Sequence, residues 1–389
     1  MDWIQWLEWF LKGAILCVIL LGGFAYLTLY ERRALARMQV RVGPNRAGPQ
    51  GVLQPIADAV KLIFKEEFTP ARVYKVVFVL APVLTVVPSL VIAAVVPLGT
   101  SFMLFGREIH LYVADLNVGV LYLMSIASIA VYGIVLAGWS SNNKYAMLGG
   151  IRSSAQMISY ELALGFCFVL AILLGNSMSL NEIVEAQKNM WFVVVQPVGA
   201  LVFFVVVLAE VNRAPFDMPE AEQELTAGYH SEYSGMKFAL FFMAEYQKMI
   251  VMSMITATLF FGGYRELWFL KDTLFSVDAV WTIGAWTFNA WFLGPIYLFI
   301  KVFLILFVMI WVRATWPRVR YDRLMALGWK IFLPLTLALC FITAVGILLA
   351  DLYNPLYYWS IPILSIISFL IATIVIYSDL TRRKTNARV

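Results

Sequence analysis

The stretch GAILCVILLGGFAYLTLY (Gly13–Tyr30) contains no charged residue, and it is long enough to cross a lipid bilayer as a helix. The rest of the chain has a similar character, because 62% of its 389 residues are hydrophobic and only 14% are charged. A soluble protein of this composition could not cover its surface with polar side chains. The composition therefore predicts an integral membrane protein.

Nine segments are apolar over about the 20 residues that a spanning helix requires. They are Gly13–Tyr30, Val73–Val96, Val118–Ala137, Met157–Leu174, Trp191–Ala209, Phe238–Phe261, Phe292–Trp311, Ile331–Leu349 and Trp359–Tyr377. The apolar segment Val280–Trp291 is too short to span, so we interpret it as an interfacial or re-entrant piece. The prediction is an all-α polytopic membrane protein with about nine transmembrane helices, forming a single multi-pass domain over residues 1–389.

The basic residues indicate how these spans are oriented. Of the 29 Lys and Arg residues, 22 lie in the loops and tail that follow odd-numbered spans, and five lie at the N-terminus and in the opposite loops. By the positive-inside rule, we predict that the N-terminus is outside and the C-terminus is cytoplasmic. The predicted cytoplasmic loops are about 31–72, 139–156, 210–237 and 312–330. This distribution also accounts for the net charge of +5 without a nucleic-acid partner.

The residue types that hold redox centres are scarce. The cysteines Cys17, Cys167 and Cys340 are isolated, and the sequence contains no CxxC motif, so neither an iron–sulfur cluster nor a structural zinc is expected. The two histidines, His110 and His230, are too few for a pair of bis-histidine haems. If the protein takes part in redox chemistry, we expect its partners to carry the electrons.

The first cytoplasmic loop begins with a rigid segment and continues into a helix. VGPNRAGPQG (Val42–Gly51) is rich in proline and glycine, which predicts a structured loop. Gly51–Glu67 then has apolar residues at helical spacing, with Asp58 and Lys61 on the other face. This pattern fits both an amphipathic helix that lies on the membrane surface and a loop with a functional role.

The third cytoplasmic loop, AEVNRAPFDMPEAEQELTAGYHSEYSGMK (Ala209–Lys237), contains six acidic residues and only two basic ones. Such a loop opposes the usual charge of cytoplasmic loops, and a solvated acidic loop is one interpretation. Prolines and Phe216 alternate with the acids, however, which favours a packed loop with a function. The loop before the eighth span, WVRATWPRVRYDRLMALGWK (Trp311–Lys330), is basic, as is the first cytoplasmic loop. Two basic loops that flank one acidic loop on the same face resemble a docking surface for a soluble partner.

Three carboxyl groups are predicted to lie within or at the ends of spans: Glu161, Glu210 and Glu245. Ionisable residues at such depth cost roughly 3 kcal/mol or more each and usually mark a proton or ion path. An alternative for Glu245 is a local ion pair with Lys248, three residues later on the same helix. Lys301, in the seventh span, is a candidate long-range counter-charge.

Two segments closely resemble signature segments of a known family. GVLQPIADAVKLIFKE (Gly51–Glu66) and PFDMPEAEQELTAG (Pro215–Gly228) are similar to those of subunit 1, the bacterial H subunit, of the proton-pumping NADH:quinone oxidoreductase, respiratory complex I. Three further segments resemble the family in the same order. They are LYERRALARMQVRVGPNRAGPQG (Leu29–Gly51), AGWSSNNKYAMLGGIRSSAQMISYELALG (Ala137–Gly165) and WVRATWPRVRYDRLM (Trp311–Met325).

This resemblance implies a membrane subunit of a bacterial plasma (inner) membrane translocase that forms much of a quinone-binding chamber and couples quinone reduction to proton translocation. The subunit would carry no redox centre and no residue that is directly catalytic, with quinone as substrate and with FMN and iron–sulfur clusters on partner subunits. The implied partners are the soluble subunit that holds the last iron–sulfur cluster, its quinone-site neighbour, small membrane subunits and lipid, but no nucleic acid.

The resemblance also assigns residues. It maps the quinone chamber and its mouth to Glu31, Arg32, Asp58, Lys61, Glu210, Arg213, Asp217 and Arg313. It maps an acidic loop to Glu220, Glu222, Glu224, Tyr229 and Glu232. It maps the proton path into the membrane to Glu161, Glu210 and Glu245.

The chain also departs from the family. Some relatives have a carboxylate on the third span where this chain has Ser128, the segment Gly262–Trp291 is longer than expected, and the ninth span lies beyond the eight-helix core.

Related subunits occur in membrane-bound hydrogenases and ferredoxin-linked complexes, so such a complex is an alternative. A proton-coupled secondary transporter and a purely structural anchor are rival hypotheses. The clustering of ionisable residues at the cytoplasmic boundary argues against the transporter, and Glu161 and Glu245 argue against the anchor.

Overall fold

The computed structural model describes residues 3–104, 107–217, 227–268, 271, 273, 276–278, 280–283, 286–353 and 358–386. Most of this part of the chain is helical, as the sequence predicts. The helices are α1 (Trp3–Met38), α2 (Gln54–Phe64), α3 (Lys75–Val91), α4 (Gly119–Ser140), α5 (Lys144–Gly175), α6 (Leu180–Ala186), α7 (Phe192–Val195), α8 (Pro197–Glu210), α9 (Gly235–Phe260), α10 (Leu293–Thr315), α11 (Tyr321–Leu327), α12 (Leu333–Leu352) and α13 (Ser360–Asn386).

Each of the nine predicted spans corresponds to helical structure. Among the described residues, seven helices are long and apolar enough to cross a membrane, counting Tyr321–Leu352 as one because a π-helical turn, Gly328–Phe332, joins α11 to α12. The two remaining spans are the shorter apolar helices Pro197–Glu210 and Ser360–Ile374. An all-α polytopic membrane protein is therefore confirmed.

The fifth predicted span, Trp191–Ala209, is not one continuous helix. It breaks at Gln196, whose φ of −131° and ψ of 66° lie outside the helical region. The next residue, Pro197, disfavours helical geometry at the residue before it and has no N–H group to donate. The interrupted segment is stabilised by a hydrogen bond from Gln196 Nε2 to Thr343 Oγ1 (2.8 Å), which links it to α12.

The short apolar segment 280–291 does not form a tenth helix. Its described residues form two antiparallel strands, Val280–Ile283 and Trp286–Asn289. A second small hairpin, Phe102–Leu104 paired with Arg107–Ile109, lies in the connection between α3 and α4. Both hairpins are confined to connections between spans, so the bundle itself consists of helices.

The centre of the bundle is α8. Most of its residues are buried, and the side chains of Val202, Phe203, Val206 and Val207 are 0% exposed. A helix that is apolar on every side is stable only where other helices or lipid surround it. Here α5, α9, α12 and α13 pack against α8. By contrast, α1 and the apolar face of α2 have many exposed hydrophobic side chains, including Phe64 at 84% exposure.

The helices α3 and α4 pack closely, and small residues allow this approach. A Cβ atom on Gly133 of α4 would lie 2.9 Å from the Ala81 carbonyl oxygen and 3.0 Å from the backbone nitrogen of Thr85, both on α3. Small residues at helix interfaces let backbones approach in membranes, where helix association depends on packing. The α3–α4 contact in turn forms one wall of the polar interior.

We predict that Gly133→Val destabilises the protein, because the added side chain has to separate α3 from α4. Overpacking of this kind costs about 1–3 kcal/mol, and the melting temperature should fall by several degrees. Gly22→Val on α1 is the matched control, since a Cβ there has no neighbour within 4 Å. The thermal stability of the solubilised chain measures both variants, and equal melting temperatures would contradict the close α3–α4 contact.

Candidate functional site

Four charged side chains from distant parts of the sequence meet beside the end of α8. Arg213, in the turn after α8, makes ion pairs with Glu245 on α9 (Nε–Oε1 2.7 Å) and with Glu31 on α1 (Nη1–Oε1 3.6 Å). Arg313, in the last turn of α10, forms an ion pair with the same Glu31 oxygen. We call Glu31, Arg213, Glu245 and Arg313 the central charge cluster.

The central charge cluster is electrically balanced, and its members are largely buried except Arg313, whose side chain is 31% exposed. Arg213 is 5% exposed and Glu31 is 2% exposed. Burial by itself would lower the pKa of Arg213, but the carboxylates of Glu245 and Glu31 raise it above its ordinary value, so the guanidinium stays charged. Its guanidinium carbon also lies 4.1 Å from the ring centroid of Tyr246. Two cations and two anions thus neutralise one another, as buried charges require.

A second buried ion pair lies next to this cluster. Lys248 Nζ is 2.7 Å from Glu210 Oε1 and donates a hydrogen bond to it. Glu161 on α5 lies within electrostatic range of Glu210, and the hydroxyl of Ser128 donates a hydrogen bond to Glu161. The alternative of a local Glu245–Lys248 ion pair is therefore wrong: each of the two binds a partner on a different element, because the bundle brings Arg213 and Glu210 against α9.

A cavity of about 50 Å³ adjoins both ion pairs, between α3, α4, α5 and α9. Its polar lining comes from seven side chains, which are Thr85, Ser89, Asn212, Tyr229, His230, Glu245 and Lys248. A water molecule requires roughly 10–15 Å³ of such volume and two to four polar partners. The cavity is therefore large and polar enough to hold water.

His230 lines this cavity from the short 3₁₀ turn Gly228–His230 that precedes α9. Aromatic rings surround the imidazole, with the centroids of Tyr229 at 3.9 Å and Phe241 at 5.3 Å. Burial lowers the pKa of His230 to about 3, so the imidazole is neutral near pH 7. A neutral imidazole can accept a hydrogen bond at one nitrogen and donate at the other.

The remaining residues assigned to the chamber lie on α1, α2 and the adjacent loops. Arg32 Nη1 is 2.6 Å from Asp58 Oδ2, and Lys61 Nζ is 3.9 Å from Asp58 Oδ1. Asp58 therefore connects α2 to the end of α1, beside Glu31. Asp217 accepts a hydrogen bond from Arg318 at its backbone carbonyl, which ties the loop after α8 to the loop after α10.

The acidic loop is only partly described. Glu220, Glu222 and Glu224 lie outside the described residues. Glu232 accepts a hydrogen bond from Asn143 Nδ2 (2.7 Å), at the start of α5, and Tyr229 is 8% exposed. The described part of this loop is thus packed against the bundle rather than fully solvated.

Lys301, the predicted long-range counter-charge, has the buried Glu266 as its electrostatic partner, rather than Glu161, Glu210 or Glu245. Its ammonium donates hydrogen bonds to the carbonyl oxygens of Phe261 (2.6 Å), Gly263 (2.8 Å) and Arg265 (2.5 Å), just after α9 ends. Carbonyls at the end of a helix have no N–H partner further along it, and a cation near a helix C-terminus is favourable. Lys301 therefore caps α9 at the end away from Glu245.

Several polar residues of this interior were missed by sequence analysis. The sequence suggests no role for His230 beyond excluding a pair of bis-histidine haems, and its only indication for Lys248 is the alternative ion pair with Glu245. Gln156 is 0% exposed and donates to the carbonyls of Ala209 (2.8 Å) and Phe216 (2.9 Å), so it fixes the turn that carries Arg213. A glutamine within an apolar helix is the only sequence signal of such a role. Among the described residues, no group of three or more His, Cys, Asp or Glu side chains could hold a metal ion.

Comparison with known proteins identifies the family. The profile of the NADH dehydrogenase family matches residues 11–344. The NADH-quinone oxidoreductase H subunit of Rickettsia typhi is 50% identical over 325 residues, which are 83% of this chain and 87% of that protein. The H subunit of Thermomicrobium roseum is 47% identical over 87% of this chain and 95% of its own length. The H 1 subunit of Geobacter sulfurreducens is 46% identical over 88% of this chain and 95% of its own length.

The matched region contains every residue of the central charge cluster, the Lys248–Glu210 pair and the cavity lining, whereas α13 lies beyond it. The chain belongs to the NADH dehydrogenase family, and the relatives to which it is similar are H subunits of NADH-quinone oxidoreductase.

Proposed function

We propose that this chain is the membrane subunit of an NADH:quinone oxidoreductase that forms much of the quinone-binding chamber and couples quinone reduction to proton translocation. The observation that carries the proposal is the central charge cluster of Glu31, Arg213, Glu245 and Arg313, buried where four elements meet. The quinone headgroup takes up electrons and protons as it is reduced. A nearby set of balanced buried charges responds to such a change, because a new charge in a low-dielectric region shifts every neighbouring protonation equilibrium.

The chamber in this proposal extends from the exposed surface of α1 and α2 to the central charge cluster. Arg32, Asp58 and Lys61 form its mouth, and the exposed apolar face of α2 faces lipid, from which an apolar quinone enters. Glu31 and Arg313 lie inward of the mouth, followed by Arg213. Asp217 and the acidic loop, including Glu220, Glu222 and Glu224, complete its border with the soluble partner subunits.

The proton path in this proposal leads from Glu245 to Glu210 and then to Glu161. Glu161 is partly exposed on the outer surface of the bundle, where the Ser128 hydroxyl donates a hydrogen bond to it. A carboxylate at that depth is costly against lipid, so we expect a small membrane subunit to cover the α4–α5 face. Some relatives have a carboxylate at the position of Ser128. In this chain the Ser128 hydroxyl donates a hydrogen bond to Glu161 and adds no charge to the path.

The electron carriers belong to other subunits in this proposal. The chain itself would bind quinone as substrate, while FMN and iron–sulfur clusters are held by soluble partners, one of which places the last cluster beside the chamber. The names of the similar proteins favour this complex over a membrane-bound hydrogenase or a ferredoxin-linked complex.

The orientation completes the proposal, with the N-terminus outside a bacterial inner membrane and the C-terminus in the cytoplasm. Its support is the excess of basic residues in the loops after odd-numbered spans. We predict that a reporter active only in the cytoplasm gives signal when fused after Val389. The same reporter placed between α3 and α4 should be silent, and the reverse pattern would contradict the orientation.

We predict that Arg313→Ala lowers NADH oxidation by quinone at least about tenfold in the assembled complex. Loss of a preorganised charge at a reacting site typically costs a few kcal/mol, and of its two ion pairs Glu31 would keep the longer one, with Arg213 at 3.6 Å. Arg32→Ala should act in the same direction but more weakly, because Arg32 is half-exposed. NADH oxidation by a water-soluble acceptor, which takes electrons upstream, should stay unchanged. Arg107→Ala, in the exposed hairpin after α3, is the control. A parallel fall of both activities would mean an assembly defect instead.

We also predict that Glu245→Gln and Glu161→Gln strongly slow quinone-linked turnover, because glutamine keeps the shape of the side chain but cannot titrate. Pumping and turnover should fall together if proton movement is obligatorily coupled to electron transfer. Vesicles containing the reconstituted complex report both, through a pH-sensitive dye and NADH absorbance. Glu182→Gln, in the first turn of α6, should behave like the wild type. Wild-type turnover and pumping in the two test variants would show that these acids are structural.

A further inference from the structure

Lys248 stands between two carboxyl groups of the proposed proton path. It lies one turn after Glu245 on α9, and both side chains line the same cavity. Its ammonium donates to Glu210 at 2.7 Å, across the interface between α9 and the end of α8. Glu210 is 2% exposed, so this contact is shielded from bulk water.

We propose that Lys248 is a proton-transfer residue that relays protons between Glu245 and Glu210, with water in the adjoining cavity as the bridge to Glu245. This inference rests on the proposed function, since it concerns the same path, but neither the composition nor the resemblance assigns a role to Lys248.

The relay moves one proton in two steps, and the first step leaves the buried pair without net charge. The Lys248 ammonium gives a proton to the Glu210 carboxylate along their hydrogen bond, which leaves a neutral amine beside a neutral carboxylic acid. The amine lone pair then accepts a proton, through a cavity water, from a protonated Glu245. Glu245 becomes a carboxylate again beside Arg213, and Glu210 can pass its proton towards Glu161. One proton has moved from Glu245 to Glu210, and Lys248 has returned to its ammonium form.

The cavity has the groups needed to hold that water. Within the described part of the chain, His230 Nε2 and Asn212 Oδ1 are buried and lack a hydrogen-bond partner. Such groups cost about 1–3 kcal/mol each if they stay unsatisfied. Both belong to residues that line the cavity, and so does the Lys248 donor. A water molecule that donates one hydrogen to either of these acceptors can accept a proton from Glu245 and donate its other hydrogen to the Lys248 amine, as the relay requires.

The competing explanation is that Lys248 only neutralises Glu210. Arginine and histidine separate the two roles. An arginine keeps a positive charge and hydrogen-bond donors, but a guanidinium does not release its proton in a protein. A histidine can take up and release a proton, but its ordinary pKa of about 6.5 leaves it mostly neutral above that pH. A proton-transfer residue therefore tolerates histidine better, whereas a counter-charge tolerates arginine better.

The test uses the assembled complex in reconstituted vesicles, with turnover, pumping and oxidation by the water-soluble acceptor measured for each variant. Lys248→Arg should lower quinone-linked turnover and pumping at least tenfold, while Lys248→His stays clearly above it. Lys12→Arg, at a lysine that pairs with Glu8 on α1, is the matched control and should equal the wild type. Turnover of Lys248→Arg within twofold of the wild type would overturn the inference, and so would equal losses in the two Lys248 variants.

The pH profile gives a second criterion. It tests the inference even when Lys248→Arg does not assemble. As the pH falls below about 6.5, the ordinary pKa of histidine, a relaying imidazole stays protonated and can no longer accept a proton, so turnover of Lys248→His relative to the wild type should fall. A counter-charge would be restored by the same protonation, and relative turnover would rise, which would overturn the inference. If turnover is impaired in Glu245→Gln and Glu161→Gln but equals that of the wild type in Lys248→Arg, only the role of Lys248 is rejected. Wild-type behaviour of the two glutamine variants would reject the proposed path itself.

Discussion

The burial of Arg213 is the constraint on which the polar interior depends. A guanidinium that is 5% exposed inside a membrane protein must be balanced by carboxylates, and Glu245 and Glu31 provide them. These residues come from the turn after α8, from α9 and from α1. Satisfying one buried cation therefore fixes three separate elements against each other, and Arg313 adds α10 through the same carboxylate of Glu31.

The position of Arg213 follows from the helix before it. Because α8 is apolar on every side, it lies at the centre of the bundle, and its last residue, Glu210, is carried inside with it. Lys248 neutralises that carboxylate from α9. Gln156 then holds the turn by donating to the carbonyls of Ala209 and Phe216. An apolar helix thus determines where the charged groups that follow it must lie.

The arrangement leaves charge movement possible without leaving charge unpaired. The central charge cluster and the Lys248–Glu210 pair are each neutral, and they share a small polar cavity. At rest, this pairing avoids the several kcal/mol that an isolated buried ion would cost. A proton that passes along the path gives a pair a net charge, and the pair becomes neutral again when the proton moves on. A chamber beside such pairs and a membrane face around Glu161 fit the proposed coupling of quinone chemistry to proton movement.

The sequence by itself determined the membrane character, the nine helical segments and the amphipathic helix α2, because the hydrophobicity and periodicity of about 20 residues are local properties. It also revealed the family through intact motifs such as Gly51–Glu66. Only the tertiary structure decided which charges pair. Local spacing offered an ion pair between Glu245 and Lys248, yet each binds a partner on another element. Glu31 binds Arg313, which is 282 positions away in the sequence. Such contacts depend on how the helices pack, which no local pattern encodes.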